Sequence, residues 1–125
     1  MPGTGGAARR QHGADAVTDA WRPAVNLYET EGAYLICVDL AGMDEKDIEV
    51  SLEKSTLTVR GRRVSPMPPD GSRAVAVHLM EIDHGRFYRE IKMPENADIE
   101  NADAIQASYR GGFLWVRIPK KMGVV

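Results

Sequence analysis

The chain has 125 residues and a formal net charge of −2, and 43% of its residues are hydrophobic. This length supports one domain with a real core and is too short for two ordinary domains. The small net charge gives no global basic field, and no basic run forms a local patch, so neither nucleic acid nor a membrane is expected as a partner.

Cysteine usage and the terminal residues predict a cytoplasmic protein. The single cysteine, Cys37, excludes an internal disulfide and fits a reducing compartment. No apolar run approaches the roughly 18 residues of a membrane span, and residues 1–11 lack the apolar centre of a secretory signal. Residues 1–20 are poor in large apolar side chains, which predicts a flexible N-terminal arm before a folded domain at 21–120.

Short stretches with strand patterns follow one another from residue 24 onwards. They are spaced about 8 to 12 residues apart without an amphipathic helix between them, which favours an all-β fold. The predicted architecture is an antiparallel, immunoglobulin-like β-sandwich of seven to nine short strands. The stretches are residues 24–28, 33–40, 48–53, 56–62, 74–80, 85–94, 104–109 and 113–119.

The connections carry recognisable turn signals. Residues 43–47 predict one helical turn capped by Asp44. Lys54-Ser55 predicts a two-residue hairpin turn, although this pair is not favoured turn chemistry. Gly111-Gly112 predicts a second hairpin, because glycine adopts positive φ without strain.

The connection between Arg63 and Gly85 is long and half apolar. It begins with a proline cluster and continues with the branched run at 74–80, which contains Val75, Val77 and Leu79. Loops of this length in a compact domain are usually functional. Since the apolar half has to be buried against something, a second subunit is one candidate.

The strand at 85–94 places a charge in an apolar row. Alternation puts Phe87, Arg89, Ile91 and Met93 on one face. A buried guanidinium costs several kcal/mol unless a carboxylate meets it. The strand therefore predicts a carboxylate partner for Arg89, in this chain or in another copy of it.

The last strand has an aromatic outer face, and no catalytic constellation accompanies it. Phe113 and Trp115 share the face opposite the apolar row, which is unusually aromatic for solvent.

The histidines and Cys37 lack metal-ligand spacing, and no phosphate loop or nucleophile elbow occurs. His84 beside Asp83 is the one pair that suggests acid–base work, and no nucleophile accompanies it in the sequence. We therefore expect no enzyme, no cofactor and no metal.

Four motifs lie in order along residues 21–120. They are Asp39-Leu40-Ala41-Gly42 with Asp47-Ile48-Glu49-Val50; Leu57-Thr58-Val59-Arg60-Gly61-Arg62; Glu81 with Gly85-Arg86-Phe87-Tyr88-Arg89 and Met93-Pro94; and Ala107 to Leu114 with Ile118-Pro119-Lys120. In this order and spacing they resemble the α-crystallin domain of bacterial small heat-shock proteins.

The resemblance implies an ATP-independent holdase that binds partly unfolded client proteins and works as a homodimer or larger oligomer. It implies that the segment around Val75, Val77 and Leu79 is a strand donated to the neighbouring subunit, with Glu81 and Arg89 at the dimer contact. Asp83 and Glu90 follow Glu81 as alternative partners for Arg89.

The resemblance also implies an edge groove, into which family members insert a C-terminal Ile-x-Ile segment. The residues expected to line it are Ile48, Val50, Leu52, Ile105, Ala107 and Tyr109. Residues 121–125 contain no Ile-x-Ile, as in a short or a truncated tail, which argues against large oligomers. Ala41 replaces the proline usual in the family and should loosen its turn. The alternative function is a co-chaperone or adaptor of the related CS-domain type, which docks on a folded partner and is monomeric.

Overall fold

The computed structural model describes residues 19–122 of the chain, so nearly all of the predicted arm and residues 123–125 of the tail lie outside the described residues. Seven strands form in the described part, and single 3-10 turns at Glu45–Asp47 and Ala102–Ala104 precede two of them. The strands are β1 (Val25–Glu29), β2 (Ala33–Asp39), β3 (Ile48–Glu53), β4 (Thr56–Arg63), β5 (Gly85–Lys92), β6 (Gln106–Arg110) and β7 (Phe113–Pro119).

The strands form two antiparallel sheets, which confirms the predicted β-sandwich. One sheet has the order β1-β2-β7-β6 and the other β3-β4-β5. The continuous apolar run of β2 lies inside the first sheet, paired with β1 and β7. The edge strands are therefore β1 and β6 in one sheet and β3 and β5 in the other.

The core lies between the two sheets and is built from the inward rows of the strands. Alternation directs Ile36 and Val38 of β2 into it, together with Leu57 and Val59 of β4, all of which are fully buried. Cys37 is also buried, but it lies on the outer face of β2 and outside this core cluster. Burial and the nearby Asp39 carboxylate raise the pKa of its thiol.

Both predicted hairpins form. Lys54 and Ser55 have φ values of 52° and 62°, the left-handed pair that a two-residue turn between β3 and β4 requires. Gly111 and Gly112 adopt 62° and 87° between β6 and β7. The predicted cap at Asp44 is present, with its Oδ1 accepting from the Lys46 amide at 3.3 Å.

One glycine allows a close approach between elements. A Cβ on Gly61 in β4 would collide with the carbonyl oxygen of Asp47 and lie 2.8 Å from Cζ of Phe87. Only a residue without a side chain fits there, because the nearest atom belongs to backbone.

Among the described residues no helix is long and apolar enough to cross a membrane.

Candidate interaction surfaces

The connection between β4 and β5 is the most apolar exposed part of the described chain. Residues 74–80, called here the exchange segment, form no strand within the single chain, although their sequence has strand character. Val75 is 99% exposed, and Val77 and Leu79 are exposed to 60% and 77%. Contiguous apolar surface of this kind on a folded domain usually marks an interaction site.

Arg89 lies half-buried on the inner face of β5, as its place in the apolar row predicts. Its Nη1 donates to the carbonyl oxygen of Pro23 at 2.9 Å, while its buried Nε has no acceptor. Burial and the nearby Arg22 both lower the pKa of the guanidinium. Within residues 19–122 no carboxylate forms an ion pair with Arg89.

The three carboxylates considered as partners of Arg89 are placed as follows. Glu81 is exposed at the end of the connection, and Asp83 lies half-buried nearby. Glu90 lies on the opposite, outer face of β5, where its Oε2 accepts from the hydroxyl of Tyr88 at 2.6 Å. An intrachain ion pair for Arg89, one of the two possibilities in the sequence, is therefore not found in the described part of the chain.

The edge strand β1 follows directly after the Pro23 carbonyl that holds Arg89. Its outer edge has no neighbour among the strands of residues 19–122, and it exposes 42% of Leu27 and 46% of Tyr28. An unpaired strand edge offers free backbone donors and acceptors to another extended segment. The Arg89 side chain and this edge therefore belong to the same region of the surface.

The residues expected to line the groove lie on edge strands of opposite sheets. Ile48, Val50 and Leu52 are half-buried along β3, where they pack against the core cluster. Ile105 and Tyr109 pack on the same cluster from before and within β6, and they too are half-buried, whereas Ala107 is exposed. Both edge strands thus present apolar side chains that cover the core and remain reachable from solvent.

Tyr109 has a second role that its sequence position did not indicate. Its hydroxyl donates to the carbonyl oxygen of Leu40 at 2.7 Å and accepts from the amide of Met43 at 3.1 Å. These bonds hold the turn that contains Ala41. The turn without proline is therefore fixed by the Tyr109 side chain of β6.

The aromatic pair on β7 is unequally exposed. Phe113 is 44% exposed, whereas Trp115 is half-buried because its ring stacks on Tyr28 of β1, with centroids 6.1 Å apart. Trp115 also lies opposite Cys37 in the β2–β7 register.

Trp21 is a further contact residue that sequence reasoning treated only as the start of the fold. Its backbone forms a parallel bridge to β5, accepting from the amide of Tyr88 at 3.1 Å and donating to Arg86 at 3.0 Å. Its ring packs on Phe87 with centroids 5.4 Å apart. Part of the edge of β5 is therefore covered by the chain itself.

Across the residues that the structure describes, no cluster of three or more His, Cys, Asp or Glu side chains could hold a metal ion.

A family model described as "Hsp20/alpha crystallin family" matches residues 26–124. Among curated proteins, the chain is 32% identical over 99 residues to "Small heat shock protein C2" of Rickettsia felis, covering 79% of this chain and 60% of that protein. It is 35% identical over 102 residues to "Spore protein SP21" of Stigmatella aurantiaca, covering 82% and 57%. The match thus spans about three fifths of these relatives' length.

Solved structures of small heat-shock proteins also match most of this chain. The hspA of Xanthomonas axonopodis matches with a TM-score of 0.66 and 33% identity over 80% of this chain and 94% of that chain. A small heat-shock protein from Xylella fastidiosa matches with a TM-score of 0.68 and 31% identity over 84% and 91%.

Proposed function

The chain belongs to the Hsp20/alpha crystallin family, a family of small heat-shock chaperones, and on that premise we propose that it is an ATP-independent holdase. In this proposal the domain at 21–120 binds partly unfolded proteins and limits their aggregation. Sequestering a client's exposed apolar surface needs no catalysis. The proposed location is the cytoplasm, where the buried free thiol of Cys37 would stay reduced.

The observation that carries the proposal is the apolar row on β3. Ile48, Val50 and Leu52 pack on the core with one side and face solvent with the other. Since β3 is also a sheet edge, its backbone can accept an extended client segment by strand addition while these side chains supply apolar contact. Ile105, Ala107 and Tyr109 form the other wall of this groove, and exposed Phe113 beside Trp115 adds a second apolar area.

The proposed homodimer forms by exchange of the segment at 74–80. Val75, Val77 and Leu79 of one subunit would lie along β1 of the other, where Leu27 and Tyr28 are exposed. This arrangement pairs the free edge of β1 and removes both sets of apolar side chains from water. It is supported by the strand pattern of a segment that has no strand neighbour among residues 19–122 of its own chain.

The same exchange would supply the charge that Arg89 lacks. The exchange segment leads directly to Glu81, and the Pro23 carbonyl that holds Arg89 leads directly into β1. A segment lying antiparallel along β1 would therefore bring Glu81 of the partner subunit to the Pro23 end of β1, near the unpaired Nε. A carboxylate there would offset the cost of the buried guanidinium.

A matched pair of substitutions on β3 tests the client surface. Val50→Asp places a charge in the apolar row, and Ser51→Asp places the same charge on the exposed outer face of the same strand. We expect Val50→Asp to lose suppression of client aggregation and Ser51→Asp to keep it. Equal suppression by both variants, with Val50→Asp shown to be folded by circular dichroism, would exclude β3 as the client surface.

A second pair tests the exchange. Because Val75 is almost fully exposed in the single chain, Val75→Asp should leave the domain fold unchanged and weaken the dimer. Ser72→Asp in the same loop is the control, and sedimentation gives the mass. A wild-type chain that is monomeric at all concentrations would favour the CS-type adaptor instead.

A further inference from the structure

Arg63, the last residue of β4, holds three separate parts of the chain with one side chain. Its Nε donates to the carbonyl oxygen of Asp83 at 3.0 Å, and its Nη2 donates to the same oxygen. Its Nη1 donates to the carbonyl oxygen of Ala41 at 3.1 Å. The guanidinium carbon lies 4.3 Å from the ring centroid of Trp21, within the range of a cation–π contact.

The bonds from Arg63 to the carbonyl oxygen of Asp83 join the two ends of the loop between β4 and β5. Arg63 pairs with Gly85 at the end of the β4–β5 ladder, so the chain leaves the sheet after Arg63 and returns at Gly85. Asp83 is where the returning chain is held, 20 residues after Arg63. Trp21 closes the same corner from the other side, with its Nε1 donating to the carbonyl oxygen of Gly85 at 3.1 Å.

On the basis of the strand exchange proposed above, we propose that Arg63 is the positioning residue for the exchange segment. It fixes the root of the loop, so that residues 74–80 leave the domain from one defined place and in one direction. A loop that swings freely has more conformations to lose when it pairs with a second subunit, and that loss weakens binding. Arginine suits this role because its planar fork of donors reaches two carbonyl oxygens while its face stacks on a ring.

The test separates the hydrogen bonds from the packing. Arg63→Met keeps a long apolar side chain against Trp21 and removes every donor to Asp83 and Ala41. Arg62→Met makes the same change at the exposed neighbouring position of β4. Dimer dissociation is measured by sedimentation. We expect Arg63→Met to raise the Kd at least about tenfold, because a loop with a loose root loses more conformational freedom on pairing, while Arg62→Met leaves the Kd unchanged.

A distance measurement tests the loop root without a partner. Spin labels at Val64→Cys and Ile82→Cys occupy two exposed positions at the loop ends, in a background of Cys37→Ser. Diluting the labelled chain into excess unlabelled chain restricts the electron–electron distance distribution to one subunit. We expect a narrow distribution for the parent and for Arg62→Met, and a broad one for Arg63→Met.

The outcomes distinguish this inference from the exchange on which it rests. A distribution that stays narrow in Arg63→Met overturns the role of Arg63, whatever the mass. A broad distribution with an unchanged dimer Kd also overturns it, because the loop root would then have no effect on exchange. A wild-type chain that never dimerises overturns the exchange itself, and the distance distribution still decides whether Arg63 holds the loop. Arg63→Lys, with a single ammonium group, should give an intermediate width.

Discussion

Replacing Arg89 should affect the single domain and the dimer by very different amounts. In one chain, Arg89→Met removes the bond to the buried carbonyl oxygen of Pro23, and leaving that acceptor unsatisfied costs about 1–3 kcal/mol. The same substitution removes the buried Nε that has no acceptor, and the free-energy cost relieved in this way is of similar size. The free energy of unfolding of the single domain should therefore change by about 1 kcal/mol or less.

In the proposed dimer, Arg89 also meets a carboxylate of the partner subunit. Removing one member of a buried ion pair costs about 3–5 kcal/mol, and two-fold symmetry provides two such pairs. A loss of only about 3 kcal/mol already raises the dimer Kd roughly 100-fold. We therefore expect a variant that is as stable as wild type when monomeric and that fails to dimerise at micromolar concentration.

The assay combines sedimentation equilibrium with urea unfolding at several protein concentrations, because dimer stability depends on concentration and monomer stability does not. Arg86→Met is the matched control, since Arg86 lies on the exposed outer face of the same strand. A monomer destabilised by about 3 kcal/mol or more would show that Arg89 has an ion-pair partner in its own chain. A dimer as tight as wild type would remove Arg89 from the subunit contact.

Three further predictions concern the fold, each measured by chemical unfolding. Gly61→Ala should destabilise the domain by about 3 kcal/mol, because the new Cβ would collide with backbone. The control Gly32→Ala, whose Cβ would have no atom nearer than 4.0 Å, should change the free energy of unfolding by no more than about 0.5 kcal/mol. Equal effects of the two substitutions would refute the packing argument. Replacing Lys54 by Asn together with Ser55 by Gly should stabilise the hairpin by about 1 kcal/mol, and no gain would mean that the positive φ values carry no strain. Tyr109→Phe should lose about 1–3 kcal/mol through its two hydroxyl bonds, and an unchanged midpoint would show that water replaces them.

Strand patterns were the most informative part of the sequence because alternation depends only on neighbouring residues. The row of Ile48, Val50 and Leu52 predicted β3 with its correct bounds, and Lys54-Ser55 forms the expected turn in spite of its unfavoured chemistry. The glycine pair Gly111-Gly112 similarly marked the β6–β7 hairpin. The sandwich could therefore be predicted before any contact was known.

Contacts that end on backbone carbonyls could not be predicted, because every residue offers the same acceptor. The Pro23 oxygen that meets Arg89 lies 66 residues away, and nothing in its side chain marks it. The carbonyl oxygens that accept from Arg63 and Tyr109 likewise cannot be identified from the sequence. A large aromatic residue two positions before Pro23 could have indicated that Trp21 is anchored, but not that it bridges to β5.

The exchange segment shows the limit of a strand pattern. Residues 74–80 have the composition of a strand, yet a strand forms only where the segment pairs with an edge, and among residues 19–122 this segment pairs with none. The structure has no strand at 74–80, so the predicted strand is not found in the single chain, and its pairing with a second subunit stays a prediction.

The most direct test of the proposed function is aggregation of a thermally unfolded model client, measured without ATP and alongside the light-scattering mass of the chaperone. A holdase that works through its edge groove should suppress aggregation at several-fold excess over the client and should have at least the mass of a dimer. A folded dimer that leaves client aggregation unchanged at that excess would contradict the proposal.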